Sequence, residues 1–123
     1  VGTILAALLW AAAAHADTGL ALRVVALGES LRFNVEGIAH TLKEGDQAYS
    51  LPVDRKAEVT SGSLTLLLHR TRIVADRGDA FTFVDTRKGI HLLVHKGQLE
   101  IRVPGSQARE LPAGNFVRIS EIL

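Results

Sequence analysis

From residue 31 onward the chain repeatedly alternates apolar with polar side chains. Leu31, Phe33 and Val35 alternate with Arg32, Asn34 and Glu36, and Leu64, Leu66 and Leu68 with Ser63, Thr65 and Leu67. Phe81 and Phe83 flank Thr82, Ile90, Leu92 and Val94 alternate with His91, Leu93 and His95, and Leu99, Ile101 and Val103 with Gln98, Glu100 and Arg102. A period of two turns one set of side chains toward a core and the other toward water, which is the signature of a strand. Segments 63–68 and 90–95 carry apolar residues in both sets, which predicts burial on both faces. No segment shows a sustained apolar stripe of period 3.6, so the pattern predicts roughly ten short strands and little helix after residue 17.

Glycine turns separate these runs: Glu44-Gly45-Asp46, Ser61-Gly62, Arg77-Gly78-Asp79, Lys88-Gly89, Lys96-Gly97, Pro104-Gly105 and Pro112-Ala113-Gly114-Asn115. Their order hides a repeat. Val59-x-x-Gly62-x-Leu64-x-Leu66-x-Leu68 matches Val94-x-x-Gly97-x-Leu99-x-Ile101-x-Val103 at an offset of 35. A weaker copy, Val25-x-x-Gly28 followed by Leu31-x-Phe33-x-Val35, has one extra residue after its glycine. A second glycine follows each copy at a near-constant interval, as Gly45, Gly78 and Gly114. The expectation is an all-β, antiparallel β-sandwich or short solenoid-like fold, with three pseudo-repeats of roughly 35 residues that bury their faces on one another. A β-trefoil is disfavoured, because its twelve strands leave little length for each.

The N-terminal stretch from Val1 to Ala14 is apolar and uncharged and ends in Ala14-His15-Ala16 before Asp17. A short apolar run closed by small-x-small predicts a secretory signal peptide, 1–16, cut between Ala16 and Asp17. Its helix precedes a single domain, 17–123. The run is shorter than the roughly 20 apolar residues that span a bilayer. The usual basic start is missing and the chain has no methionine. Either Val1 is an alternative start or the sequence begins inside the leader. Asp17 stands where a lipoprotein would need a cysteine, so no membrane anchor is expected after cleavage. The address expected is the bacterial periplasm or the exterior.

Fourteen Lys and Arg balance thirteen Asp and Glu, with the two signs interspersed. That excludes an acidic or basic tail and argues against a nucleic-acid footprint, which needs a clustered basic face. Cysteine is absent and the only tryptophan, Trp10, lies in the leader. The core must therefore stabilise the domain without disulfides.

The stretch from Leu42 to Val103 resembles the FecR-like periplasmic domain family. The resemblance rests on Leu42-Lys-Glu-Gly45-Asp46, on Val59-Thr60-Ser61, on the Leu64–Leu68 strand and on Ile90-His-Leu-Leu-Val94-His-Lys-Gly97-Gln-Leu-Glu-Ile-Arg-Val103. Leu111-Pro-Ala-Gly114-Asn-Phe-Val-Arg-Ile119 is similar to the family's closing segment. The resemblance implies a non-catalytic extracytoplasmic β domain. Founding members sense an outer-membrane receptor and signal to a sigma factor through a cytoplasmic segment and a membrane helix. The sequence given has neither, so the resemblance implies a binding or envelope module. The rhythm from Gly97 to Val117 also looks, more loosely, like a cupin jelly roll, a fold that acts on small ligands or glycans. Cupin metal sites need a His-x-His pair, which is missing here.

Candidate chemistry is sparse. His91 and His95 are four apart, which on a strand separates them by about 13 Å, too far to share one metal ion. No Gly-x-Ser-x-Gly elbow and no phosphate-cradling glycine loop occurs, so no catalytic residue, cofactor or metal is expected. Arg77-Gly78-Asp79 is an integrin-type tripeptide, but a glycine between charges is ordinary turn chemistry. The charged positions of exposed strand faces, Arg32, Glu100, Arg102 and Arg118, are the candidate interaction face. They either keep the strands solvated or flank an edge that accepts a partner strand. The partner expected is an unidentified envelope protein or a second copy of the chain. A pocket gathering two or more of His40, His69, His91, Asp76 and Asp85 would favour the jelly-roll alternative.

Overall fold

A computed structural model describes residues 22–26, 30–44 and 48–123. The proposed leader, its cleavage site at Ala16 and Asp17, and the turn glycines Gly28 and Gly45 lie outside the described residues.

Among the described residues twelve strands follow one another: β1 (Arg23–Val25), β2 (Leu31–Val35), β3 (Ile38–Leu42), β4 (Tyr49–Ser50), β5 (Lys56–Ser61), β6 (Ser63–Leu68), β7 (Thr71–Asp76), β8 (Ala80–Thr86), β9 (Gly89–Lys96), β10 (Gln98–Arg102), β11 (Arg109–Pro112) and β12 (Phe116–Arg118). A 3-10 turn, Ile119–Glu121, follows β12. The strands form two six-stranded antiparallel sheets, ordered β11-β10-β7-β6-β1-β4 (sheet A) and β12-β9-β8-β5-β2-β3 (sheet B). They make a β-sandwich that is not closed into a barrel. The twelve strands fit because several are only two to four residues long, too short for alternation to be legible. Length was therefore a poor reason to disfavour a twelve-stranded fold, although the architecture is a sandwich and not a trefoil.

The three repeats are three layers of four strands, and each layer adds two neighbouring strands to each sheet. In the second (β5–β8) and third (β9–β12) the chain visits sheets B, A, A and B, so the third is the second shifted along the sandwich. In the first (β1–β4) the order is A, B, B, A. Exchanging both sheet and side is a half-turn about the strand direction. The layers follow chain order across the sandwich, unlike a jelly roll, which wraps through two Greek keys.

Equivalent hydrogen bonds bind the second and third layers internally. The Val59 amide donates to the Asp79 carbonyl at 3.0 Å and the Gly78 amide to the Val59 carbonyl at 2.9 Å. In the third layer Val94, Asn115 and Gly114 repeat this at 3.1 and 2.9 Å. The first copy departs from its alignment. Val25, the aligned residue, faces outward opposite Thr65, and its neighbour Val24 is the fully buried one.

The core lies between the sheets and follows the alternation. Leu31, Phe33, Leu64, Leu66, Leu68, Ile73, Phe81, Phe83, Leu92, Leu99 and Ile101 are all fully buried. Burial of both faces is realised only partly. Thr65 is buried on the outer face of β6, whereas Leu67, His91 and Leu93 are half-buried and His95 is exposed.

Asp79 ties two layers together. Its Oδ2 accepts the Asp76 amide at 2.7 Å and its Oδ1 the Gln98 amide of the next layer at 3.2 Å. Replacing Asp79 with alanine leaves both amides without that acceptor, and a loss of about 2–3 kcal/mol is expected in urea unfolding. Asp79→Asn, which keeps one carbonyl acceptor, should lose less. Equal stability of wild type and Asp79→Ala would show that the tie contributes nothing. The same geometry removes Arg77-Gly78-Asp79 as an adhesion motif, because its carboxylate is turned into the corner rather than displayed.

Candidate functional site

The two sides of the sandwich differ. On one side the edges are β11 and β12. Pro112, which has no amide hydrogen, together with Arg109, Glu110 and Arg118, guards these edges against strand addition. Their core residues are sealed, with Leu111 4% and Val117 2% exposed.

On the other side the edges are β3 and β4. β3 reads Ile38-Ala-His-Thr-Leu42 and holds no Asp, Glu, Lys, Arg or Pro. Among the described residues no strand pairs with its outer edge. Ile38, His40 and Leu42 lie opposite Val35, Phe33 and Leu31 of β2, so they point into the sandwich. β4 is two residues long and covers little of them. Ile38 is consequently 64% exposed although it faces inward.

An aromatic cluster holds this open mouth. The Phe33 ring lies 5.4 Å from the His40 ring and 5.3 Å from the Tyr49 ring, and His40 and Tyr49 are 4.6 Å apart. The Tyr49 hydroxyl and His40 Nε2 are 3.5 Å apart, a long contact. The mouth is a concavity of about 330 Å³ lined by Val35, Glu36, Ile38, His40, Tyr49, Pro52 and Arg55.

A second concavity, of about 400 Å³, is lined by His69, Arg70, Thr71, Val103, Pro104 and Leu123 at the end of sheet A. The buried Thr71 hydroxyl donates to the Ile122 carbonyl and holds the C-terminal segment there. Each of these two concavities contains one of the five titratable residues named above, and neither contains two. Among the described residues no group of three His, Cys, Asp or Glu is placed to hold a metal ion.

The four charged candidates do not form one surface. Glu100 and Arg102 are on the outer face of sheet A, while Arg32 and Arg118 are on the outer face of sheet B, on β2 and β12. Glu100 and Arg102 pair with each other at 3.0 Å. The hydrogen bond that Arg102 donates to Glu100 Oε2, and then the charge of that carboxylate, raise the Arg102 guanidinium pKa above its ordinary value. So exposed a pair adds little stability. Arg118 Nε is buried without a hydrogen-bond partner.

His91 and His95 share the outer face of β9 and have separate neighbours. The His91 ring lies 5.5 Å from Phe116, and His95 Nε2 lies 2.7 Å from the Thr82 hydroxyl.

Two features were missed from sequence. The first is a basic row. Strand register places Arg102, Arg72, Leu67 and Arg23 side by side across β10, β7, β6 and β1 on the outer face of sheet A. Charges that are interspersed along the chain are therefore clustered in space. Adjacent strands are about 4.8 Å apart, so the three arginines span roughly 14 Å. Glu100 and Glu110 stand in the next row. The second is β3 itself. Its only sequence signal is a charge-free stretch between Glu36 and Lys43.

Comparison of the chain with models of protein families, with curated proteins and with solved structures found no match. No helix among the described residues is long and apolar enough to cross a membrane.

Proposed function

We propose that this chain is a non-catalytic protein-binding or structural module of the bacterial cell envelope, as its resemblance to the FecR-like periplasmic domain implies, and that it works through the β3 edge. The observation that carries this reading is the contrast between the two sides. One pair of edges is guarded by charge and proline and its core is sealed. The other presents a five-residue strand without charge over a half-covered aromatic mouth. A free edge of this kind accepts a partner strand through main-chain hydrogen bonds, and the mouth supplies side-chain selectivity. A retained edge is otherwise an aggregation hazard, so it is best understood as a surface that is normally covered.

The test is cross-linking in the producing bacterium's envelope. A photoreactive residue at Ala39, exposed on β3, should give a discrete protein adduct. The same residue at Lys88, in the β8–β9 hairpin, should give none. Absence of any adduct from Ala39 would remove the reading.

A further inference from the structure

We infer that β3 pairs with β3 of a second copy of this chain, antiparallel about a two-fold axis at His40, so that each open mouth is closed by the other. The inference rests on reading β3 as a protein-docking edge and names the partner.

Three observations favour a second copy. First, β3 is self-complementary. It runs aliphatic, small, His, small, aliphatic, the same in both directions. About a two-fold axis at His40, Ile38 meets Leu42 of the second copy and Ala39 meets Thr41. Antiparallel partners directly opposite each other point to the same face. The inward-facing Ile38, His40 and Leu42 therefore meet the same inward-facing set, and the two cores become continuous. β4 meets its own copy across the same axis. Second, β3 carries no charge, so two identical edges meet without like-charge repulsion along the strand. Third, among the described residues each chain has one open side. The β11–β12 side is guarded and sealed, so pairing stops at two copies instead of growing into a filament.

The side chain with most to gain is Ile38, which faces inward yet is 64% exposed in the single copy. Phe116 is equally exposed, at 63%, but lies on the opposite edge of sheet B. It is the internal control.

The experiment is sedimentation velocity of the purified chain from about 1 µM to about 1 mM, which covers association free energies of roughly −8 to −4 kcal/mol. The expected result is a concentration-dependent rise that saturates at twice the monomer mass. Ile38→Lys should move the midpoint to at least about tenfold higher concentration, as burying an unpaired charge demands. Its thermal melt as a monomer should stay unchanged, because Ile38 is largely exposed there. Phe116→Lys should leave the midpoint where it is.

The register has its own readout, since the natural chain has no cysteine. A mixture of Ala39→Cys and Thr41→Cys chains should oxidise to a disulfide-linked dimer more fully than either variant alone. A monomer at every concentration would overturn the inference, as would growth beyond the dimer. So would equal weakening by Ile38→Lys and Phe116→Lys, or no gain in cross-linking on mixing. The envelope cross-link from Ala39 separates this failure from failure of the docking edge itself. An adduct of any other mass keeps the edge and replaces the partner.

Discussion

Phe33→Ala is expected to destabilise the domain by about 3–5 kcal/mol in urea or thermal unfolding, the usual cost of emptying a buried phenylalanine site. Phe33 is fully buried in β2, and its ring touches both His40 of β3 and Tyr49 of β4. Among the described residues β3 pairs with β2 alone, so β3 is the strand freest to move when the ring is lost. The loss should therefore reach the edge. Amide hydrogen exchange in β3 should accelerate more than in β6, whose two neighbours remain in place. Leu66→Ala, in the middle of sheet A, should cost about 2–5 kcal/mol without that bias toward β3. A Phe33→Ala protein with unchanged exchange in β3 would mean that the aromatic cluster does not hold the edge.

Gly97→Ala is expected to cost about 3–4 kcal/mol, more than a turn glycine alone would. The backbone at Gly97 has φ of 73°, and a non-glycine residue in that left-handed region is strained by about 1–2 kcal/mol. A Cβ there would also sit 1.9 Å from Asp79 Oδ1, so the carboxylate must leave the Gln98 amide. Gly89, with φ of 109° and open space around it, carries only the first penalty. Gly62 is the second-layer counterpart, and its added Cβ would meet the Ser30 carbonyl oxygen at 2.6 Å. A double-mutant cycle separates the two parts. In the Asp79→Ala background the clash with Oδ1 is gone, so Gly97→Ala should cost about 1–3 kcal/mol less than in wild type. Additive penalties would show that the Asp79–Gly97 corner does not couple the layers.

Much of the fold was legible. The alternations at 31–35, 63–68, 90–94 and 98–102 became β2, β6, β9 and β10 with their inward sets buried, because a strand's two faces are written into its period, while Val103 lies beyond β10 and is only partly buried. The repeat was legible for a related reason. Val59, Gly62, Val94 and Gly97 recur because the second and third layers turn the same corner with the same hydrogen bonds. The shortest strands, β1, β4 and β12, carry too few residues for any period to show. The candidate face from Arg32 to Arg118 was dispersed, since a charge pattern along the chain does not say which sheet each strand joins.

The amino-acid order by itself determined the all-β class, the apolar face of the long strands and the glycine turns that separate them. Each depends on neighbours within a few residues, through alternation or through the φ that glycine permits. Only the tertiary structure decided that the first layer is turned half about the strand direction, that Arg23, Arg72 and Arg102 stand in one row, and that β3 is left, among the described residues, as an open edge. These depend on which strand comes to lie beside which, and that is set by the competition of whole faces for burial rather than by any local run of residues.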